Sequence, residues 1–382
     1  MIGPLDVGIV GVALPSMSAS LGGDVTSGQL VVLAYLTLIT ASYVPFGRLA
    51  DRGSPSGVLR LGLLLFAAGA LLVSLSRELD LVLLGRALQG AGAAAAVSGG
   101  QAVAFAAAGP GQAGRTLGLT HVAVALGMLG GAIVGGLVIE RFGWQAAFLI
   151  EPPIALAAAL LARGPRRQPG ATEAPSLVAL LRRPNTEAPS LVALLRRPDL
   201  VRGLILAMLT FTAMSANMFL VPYLLQRPLA LAPSSAGLLM AIVPVAILLG
   251  AFPAGALADR RGSRWPSTAG LTLIGPGIAG FALASRVEVV ALALATYGLG
   301  AALFQSPNNL AVLAAAPPGG LGLASGLLGA SRQLGQILGV TLSGSLIGMG
   351  GGLDARPAYT FAFAALAGLA ALAALVASRQ PR

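Results

Sequence analysis

The sequence predicts an all-α integral membrane protein of about twelve transmembrane helices in two six-helix bundles. Three observations predict it. Apolar runs long enough to cross a bilayer recur along the chain, one polar stretch divides them six and six, and arginine gathers in alternate loops. About twenty residues at ~1.5 Å rise span the ~30 Å hydrocarbon core. Val58–Ser74, Leu271–Ala284 with its flanks and Pro357–Val376 are the plainest runs. Hydrophobic residues make up 56% of 382 and charged residues 10%, against roughly 25% charged in soluble domains. That leaves almost nothing for a soluble domain.

Apolar runs bounded by glycine, proline and charge mark the spans in order. The first bundle takes 2–21, stopped by Gly22, Gly23 and Asp24; 27–49, ending in an arginine-rich loop; and 57–76, opening behind Pro55. It continues with 79–107 between Glu78 and Pro110, 115–138 ahead of Glu140, and 144–163 after Gly143. The second bundle takes 201–226, 233–257, 266–285, 287–314, 320–347 and 357–377, each again set off by proline, glycine or arginine. The first run lacks the basic segment of a cleaved signal, and so abrupt an opening is expected of a shortened first helix.

Charge tests the count. The net charge is +11, and every basic residue is arginine. With both termini inside, the inner loops and tail hold 17 arginines and the outer loops only 5, namely Arg77, Arg141, Arg227, Arg286 and Arg356. This is the positive-inside bias of a membrane protein, so the charge reports topology, and nucleic acid is not expected as a partner. The absence of cysteine excludes disulfides and thiolate metal sites. The single histidine, His121, excludes a histidine metal cluster and is expected at the inner interface.

Residues 164–200 form the one long polar stretch. Within it Thr172–Pro184 (TEAPSLVALLRRP) recurs word for word at Thr186–Pro198. A tandem duplication in a tolerant linker is the expected reading. A short amphipathic helix on the inner leaflet, with Leu177, Val178, Leu180 and Leu181 turned to lipid, is the alternative. The halves also echo each other: Gly47-Arg48-Leu49-Ala50-Asp51-Arg52 closes the second span, and Gly255-Ala256-Leu257-Ala258-Asp259-Arg260-Arg261-Gly262 closes the eighth. Such symmetry belongs to transporters built from two related bundles. The domains expected are therefore 1–163, a cytoplasmic linker at 164–200, and 201–382.

Four motifs together resemble the major facilitator superfamily, and within it the drug:proton antiporter branch. The echoing loops resemble its G-x-L-A-D-R-x-G-R-[RK] motif, although Ser54, Pro55 and Ser56 break the first copy. The resemblance implies a conformational latch built on Gly47, Asp51, Arg52, Asp259 and Arg260. Plain positive-inside anchoring is the alternative. The fourth span reads Leu84-Gly85-Arg86-Ala87-Leu88-Gln89-Gly90-Ala91-Gly92. An arginine at mid-membrane costs at least ~2.5–3.5 kcal/mol on insertion scales, so Arg86 needs a wet cavity or a partner. The resemblance gives it a part in proton coupling. The fifth span's Gly127, Gly131, Ala132, Gly135 and Gly136 resemble G-x-x-x-G-P-x-x-G-G, which marks exporters in this family, with alanine in place of proline. Tight helix packing is the alternative. Leu5-Asp6-x-x-Ile9-Val10-x-Val12-Ala13-Leu14-Pro15 resembles the first-span motif, and places Asp6 as the proton site. Burial favours the neutral acid and a nearby arginine the ionised one, so the pair can act as a switch, unless Asp6 simply sits at the interface.

Glu151, in Phe148-Leu149-Ile150-Glu151-Pro152-Pro153, occupies a position where family members tend to carry asparagine. It reads as a second protonatable group or, preferably, as a solvated helix-start carboxylate. Gln89, Met214, Asn217, Tyr223, Gln305, Asn309 and Arg332 are expected to line a substrate cavity, where methionine and aromatics suit varied lipophilic shapes. Arg332 alone among them carries a charge that demands a partner.

No G-x-x-x-x-G-K-[ST] loop is present and there is no lysine to serve one, which excludes ATP-driven transport by this chain alone. The expectation is a non-enzymatic, secondary-active exporter of lipophilic or cationic small molecules. It needs no cofactor beyond the proton gradient, and it works as a monomer in a plasma membrane, with bacterial inner membrane suggested by arginine-only, alanine-rich usage. Its partners are a small-molecule substrate, protons and the bilayer. Two alternatives stay open: a carrier of an endogenous metabolite, sugar or organic anion on the same fold, and a non-transporting membrane sensor or scaffold.

Overall fold

A computed structural model describes residues 2–52, 54–107, 113–162, 191–262, 264–317 and 321–378. The described residues form fifteen helices and no strand. In chain order they are α1 (Ile2–Ser20), α2 (Val25–Arg52), α3 (Pro55–Leu75), α4 (Leu79–Ala107), α5 (Ala113–Phe142), α6 (Trp144–Leu149) and α7 (Glu151–Leu161). The second half follows with α8 (Leu191–Leu195), α9 (Pro198–Gln226), α10 (Pro233–Met240), α11 (Ile242–Arg261), α12 (Arg264–Ala282), α13 (Val287–Ala314), α14 (Leu321–Met349) and α15 (Arg356–Ser378). Only helices satisfy every backbone group within one segment in lipid.

Local chemistry sets the ends. Ser54 caps α3 by accepting the Gly57 N–H, and Pro55 stands at the first helical position, where its missing N–H is no loss. Asp24 Oδ1 accepts the Ser27 N–H at 2.9 Å at the start of α2, and that backbone bond is the chief reason its carboxyl titrates below the ordinary range. Pro198 and Pro233 open α9 and α10 in the same way as Pro55. Gly143 and Gly262 end α5 and α11 at φ 82° and 76°, a region that favours glycine.

Two of the expected spans are bent. The sixth breaks at Ile150, where Pro152 and Pro153 follow Glu151, and the eighth breaks at Ala241. With those pieces joined, ten stretches among the described residues are long and apolar enough to cross a membrane. α12 and α14 have the length, 19 and 29 residues, but glycine, serine and threonine dilute their apolar runs. α4 and α13 coincide with the expected 79–107 and 287–314. α2, α5 and α9 run several residues beyond expectation because helical hydrogen bonding continues past the apolar boundary.

The halves pack alike. α3 lies along α4, α2 against α4, α1 against α5 and α3 against α7; α12 lies along α13, α11 against α13, α9 against α14 and α12 against α15. Glycines permit the closest of these approaches. A Cβ on Gly62 would stand 2.3 Å from the Ala96 nitrogen, and one on Gly270 2.6 Å from the Phe304 nitrogen. With no hydrophobic drive between helices in lipid, such close backbone packing holds a bundle together.

The halves meet through α2 with α14, α5 with α10 and α1 with α9. One end of the bundle carries the short turns at 21–24, 76–78 and 143 and is here the turn end. The opposite end, where α7 leaves and α8 enters, is the linker end. The first copy of the duplication and most of 164–200 lie outside the described residues. The second copy supplies α8, whose Leu194 is buried with Leu200 and Leu204.

Candidate proton-coupling site and gate

Four polar side chains meet inside the first half. α1 brings Asp6, α4 brings Arg86 and Gln89 one turn apart on one face, and α7 brings Glu151 at its first residue. All are buried: Asp6, Gln89 and Glu151 at 0% exposure and Arg86 at 1%. Arg86 Nη1 donates to Asp6 Oδ1 at 2.6 Å and to Gln89 Oε1 at 2.8 Å. The Gln89 amide donates in turn to Glu151 Oε2 at 2.7 Å and, more weakly, to Asp6 Oδ1 at 3.4 Å. The Arg86 guanidinium lies over the Tyr35 ring at 4.6 Å and the Phe148 ring at 5.8 Å, geometry in which the ring faces stabilise the cation. Among the described residues, Asp6 Oδ2, Arg86 Nε and Glu151 Oε1 have no hydrogen-bond partner.

Asp6 and Arg86 thus pair with each other in the interior, away from the interface. The preferred expectation for Glu151 is corrected. It does stand at a helix start, but it is buried and hydrogen-bonded to Gln89, because the break at Ile150 starts α7 beside α1 and sets its first residue against α4. Gln89 also departs from expectation: it is sealed inside the cluster, where it joins the two acids. Tyr35 and Phe148 were missed. An aromatic in an apolar run carries no sign of the cation it will cover.

The expected cavity residues divide similarly. Met214 and Asn217 on α9, Gln305 and Asn309 on α13, and Arg332 on α14 are half-buried. Asn217 Oδ1 is buried without a partner. Arg332 donates to Asn309 Oδ1 and lies over the Phe211 ring at 5.4 Å. Among the described residues no carboxylate pairs with it. Tyr223, in contrast, is wholly buried, with its hydroxyl 3.5 Å from the Leu14 carbonyl. It is part of a seal between the halves.

That seal is built toward the turn end. Gln226 Nε2 donates to the Val12 carbonyl at 2.9 Å, and Gln29 Nε2 to the Val340 and Thr341 carbonyls at 2.9 and 3.1 Å. The Ser234 N–H donates to Glu140 Oε2 at 3.2 Å. Of the fifth-span glycines, Gly131 and Gly135 pack α5 on α1 within the first half, and Gly136 lies at this seam. A Cβ on Gly131 would stand 2.1 Å from the Leu5 carbonyl and one on Gly135 3.1 Å from Ile9, both on α1. A Cβ on Gly136 would stand 2.7 Å from the Pro233 carbonyl on α10, and one on Gly237 2.2 Å from the Ala132 carbonyl. Gly127 is buried one turn before them. At the linker end a Cβ on Gly47 or Gly255 meets nothing within 4 Å, Val44 is 55% exposed, and Arg260 is exposed. Among the described residues, the hydrogen bonds between the halves gather at the turn end. The side chains of Asp51, Arg52, Asp259 and His121 lie outside the described residues.

Two matching helical halves, a buried ion pair in one of them and a seam closed at one end define a multi-pass membrane transporter, not an enzyme. The chain belongs to the Major Facilitator Superfamily, whose family model matches residues 1–222 and 203–382. The riboflavin transporter RibZ of Clostridioides difficile is 27% identical over 89% of this chain and 84% of its own. A multidrug resistance protein B homolog of Mycobacterium tuberculosis is 25% identical over 90% of this chain and 73% of its own. Among solved structures, the nucleoside transporter NupG superposes with TM-score 0.77 at 16% identity, covering 99% of this chain and 96% of the other. A bacterial homolog of the human lysosomal transporter Spinster gives TM-score 0.74 at 15% identity, covering 99% and 95%.

Proposed function

We propose that the chain is a secondary-active exporter of lipophilic or cationic small molecules, driven by proton influx through alternating access. The observation that carries this reading is the Asp6–Arg86 pair, buried where α1 meets α4. A charge pair in lipid is expensive unless it is used, and α1 ties it to the gate. Two turns beyond Asp6, the Val12 and Leu14 carbonyls accept the bonds that seal the turn end. A proton on Asp6 neutralises the acid, releases Arg86 and loosens α1 in its contacts with α4 and α9. Deprotonation re-forms the pair and the seal.

The arginine-rich linker end is placed in the cytoplasm, with both chain termini, by the positive-inside rule. On this reading the closed turn end corresponds to an inward-facing state, and the protein works as a monomer in the bacterial inner membrane. No cofactor is needed beyond the gradient. The multidrug relative supports a drug-like cargo, and the half-buried Met214 and Phe211 offer adaptable apolar contact.

One observation favours a second reading. Arg332 stands without a carboxylate among the described residues and stacks on Phe211, which suits an anionic or acceptor-rich aromatic cargo. The riboflavin relative points the same way. Proteoliposomes with an imposed pH gradient test the first reading: a cationic dye should move against the proton flow, and movement indifferent to the gradient rejects it. Competition by organic acids in preference to cations, lost in Arg332→Gln, would select the second.

A further inference from the structure

Counting charge in the Asp6–Arg86–Gln89–Glu151 cluster shows a deficit. Two carboxyl groups share one guanidinium, since Arg86 is the cation that faces them and Gln89 contributes only a neutral amide. The elements packed on Glu151 bring nothing more to balance it. α7 lies against α3, α6 and α1. The one charged residue of α3, Arg60, donates to the Ala162 carbonyl at the linker end, and α6 has none. α1 supplies Asp6, and Tyr35 on α2 is the remaining titratable neighbour, stacked on Arg86. An uncompensated carboxylate at 0% exposure is strongly unfavourable, and such a group takes up a proton instead. The Gln89 amide bridges the Asp6 and Glu151 carboxyl groups, at 3.4 and 2.7 Å. Two carboxylates held on one amide repel; one proton between them makes the contact attractive.

We propose that Glu151 is a second proton-carrying acid of this transporter, protonated in the conformation described, with its carboxyl O–H donating to the Asp6 carboxylate. The pair then titrates as a unit. In this state the cluster is neutral: Asp6 is ionised against Arg86, and Glu151 holds the proton. A second proton, taken on Asp6, breaks the ion pair to Arg86 and makes the cluster cationic until one proton leaves toward the other side. Glu151 thereby keeps a proton beside Asp6 throughout, and the transported unit is a proton moving through a two-acid relay. No bond other than O–H is formed or broken. The inference rests on the proton-coupled reading above and adds to it a second acid, carried by α7.

The test is infrared spectroscopy of the whole protein in liposomes at neutral pH, which needs no transport. The expected result is a protonated-carboxyl stretch that shifts when glutamate is labelled with heavy carbon at its carboxyl. It should not shift when aspartate is labelled. Among the described residues Asp6 and Glu151 are the buried acids, so surface glutamates stay ionised and silent. The band should vanish in Glu151→Gln and in Glu151→Asn, both checked for folding by monodisperse elution. A band that follows the aspartate label, or no band in the wild type, overturns the proposal. Transport supplies the second readout: the pH at which transport is half-maximal should shift in Glu151→Gln, which removes the relay partner of Asp6, while the proton-to-cargo ratio from reversal potentials is kept. An unshifted pH profile also overturns it. Wild-type transport indifferent to pH defeats the coupling reading instead, whatever the infrared band shows.

Discussion

Arg86 Nη1 lies 2.6 Å from Asp6 Oδ1, and neither side chain reaches solvent. Removing one partner of a buried pair leaves the other uncompensated, which costs about 3–5 kcal/mol. Asp6→Asn should therefore lower the melting temperature in detergent and abolish pH-driven transport. The double variant Asp6→Asn, Arg86→Gln should recover the stability and not the transport. Recovery of both would remove the pair from the mechanism.

Gly131 and Gly130 are adjacent and opposite in consequence. A Cβ at Gly131 would meet the Leu5 carbonyl at 2.1 Å, whereas one at Gly130 meets nothing within 4 Å. Gly131→Ala should push α1 from α5 at a cost of about 1–3 kcal/mol. Gly130→Ala should be neutral or stabilise by about 0.5–1 kcal/mol through helix propensity. Thermal unfolding of the two proteins side by side checks this, and equal behaviour would contradict the packing.

The α1–α2 turn has a pH signature. Asp24 is exposed and titrates below the ordinary carboxylate range, chiefly because it accepts the Ser27 N–H. A lowered folded-state value means stabilisation that is present above the unfolded value and is lost as pH falls through the folded one. Asp24→Ala should thus lower the melting point near neutrality, with the difference from wild type shrinking in acid. A constant difference across pH would deny the cap its charge.

Gln29 reaches across the seam to the Val340 and Thr341 carbonyls. A hydrogen bond contributes a net ~0.5–1.5 kcal/mol, so Gln29→Ala should shift the balance toward the open turn end by roughly 2–12-fold. The chain has no cysteine, which makes single-cysteine labelling straightforward. A cysteine placed at Val340, which is at 0% exposure in the closed seam, should react faster with an impermeant maleimide in Gln29→Ala. Unchanged labelling would place the gate elsewhere.

The duplicated segment offers a contrast between its copies. Deleting Thr172–Asn185 removes the first copy and should leave transport and stability unchanged. Leu194→Asp, in the second, puts a charge where the side chain is wholly buried with Leu200 and Leu204, and should destabilise by several kcal/mol. Loss of transport on the deletion would show that the linker does more than connect.

The membrane class, the helical spans, the bundle symmetry and the placing of Asp6 and Arg86 inside apolar spans were legible in the sequence alone. Each is a property of single residues or of local periodicity: apolar length against bilayer thickness, arginine in alternate loops, a charge inside an oily run. The tertiary structure decided what depends on contacts between distant segments. It put Glu151 and Gln89 into the Asp6–Arg86 cluster, laid Tyr35 and Phe148 over the guanidinium, turned Tyr223 from cavity wall to seal, and closed the seam at one end. Partners 62, 80 and 83 residues apart are chosen by how five helices pack. In lipid that packing is set by where small residues let backbones touch, a property of pairs of helices that no single segment displays.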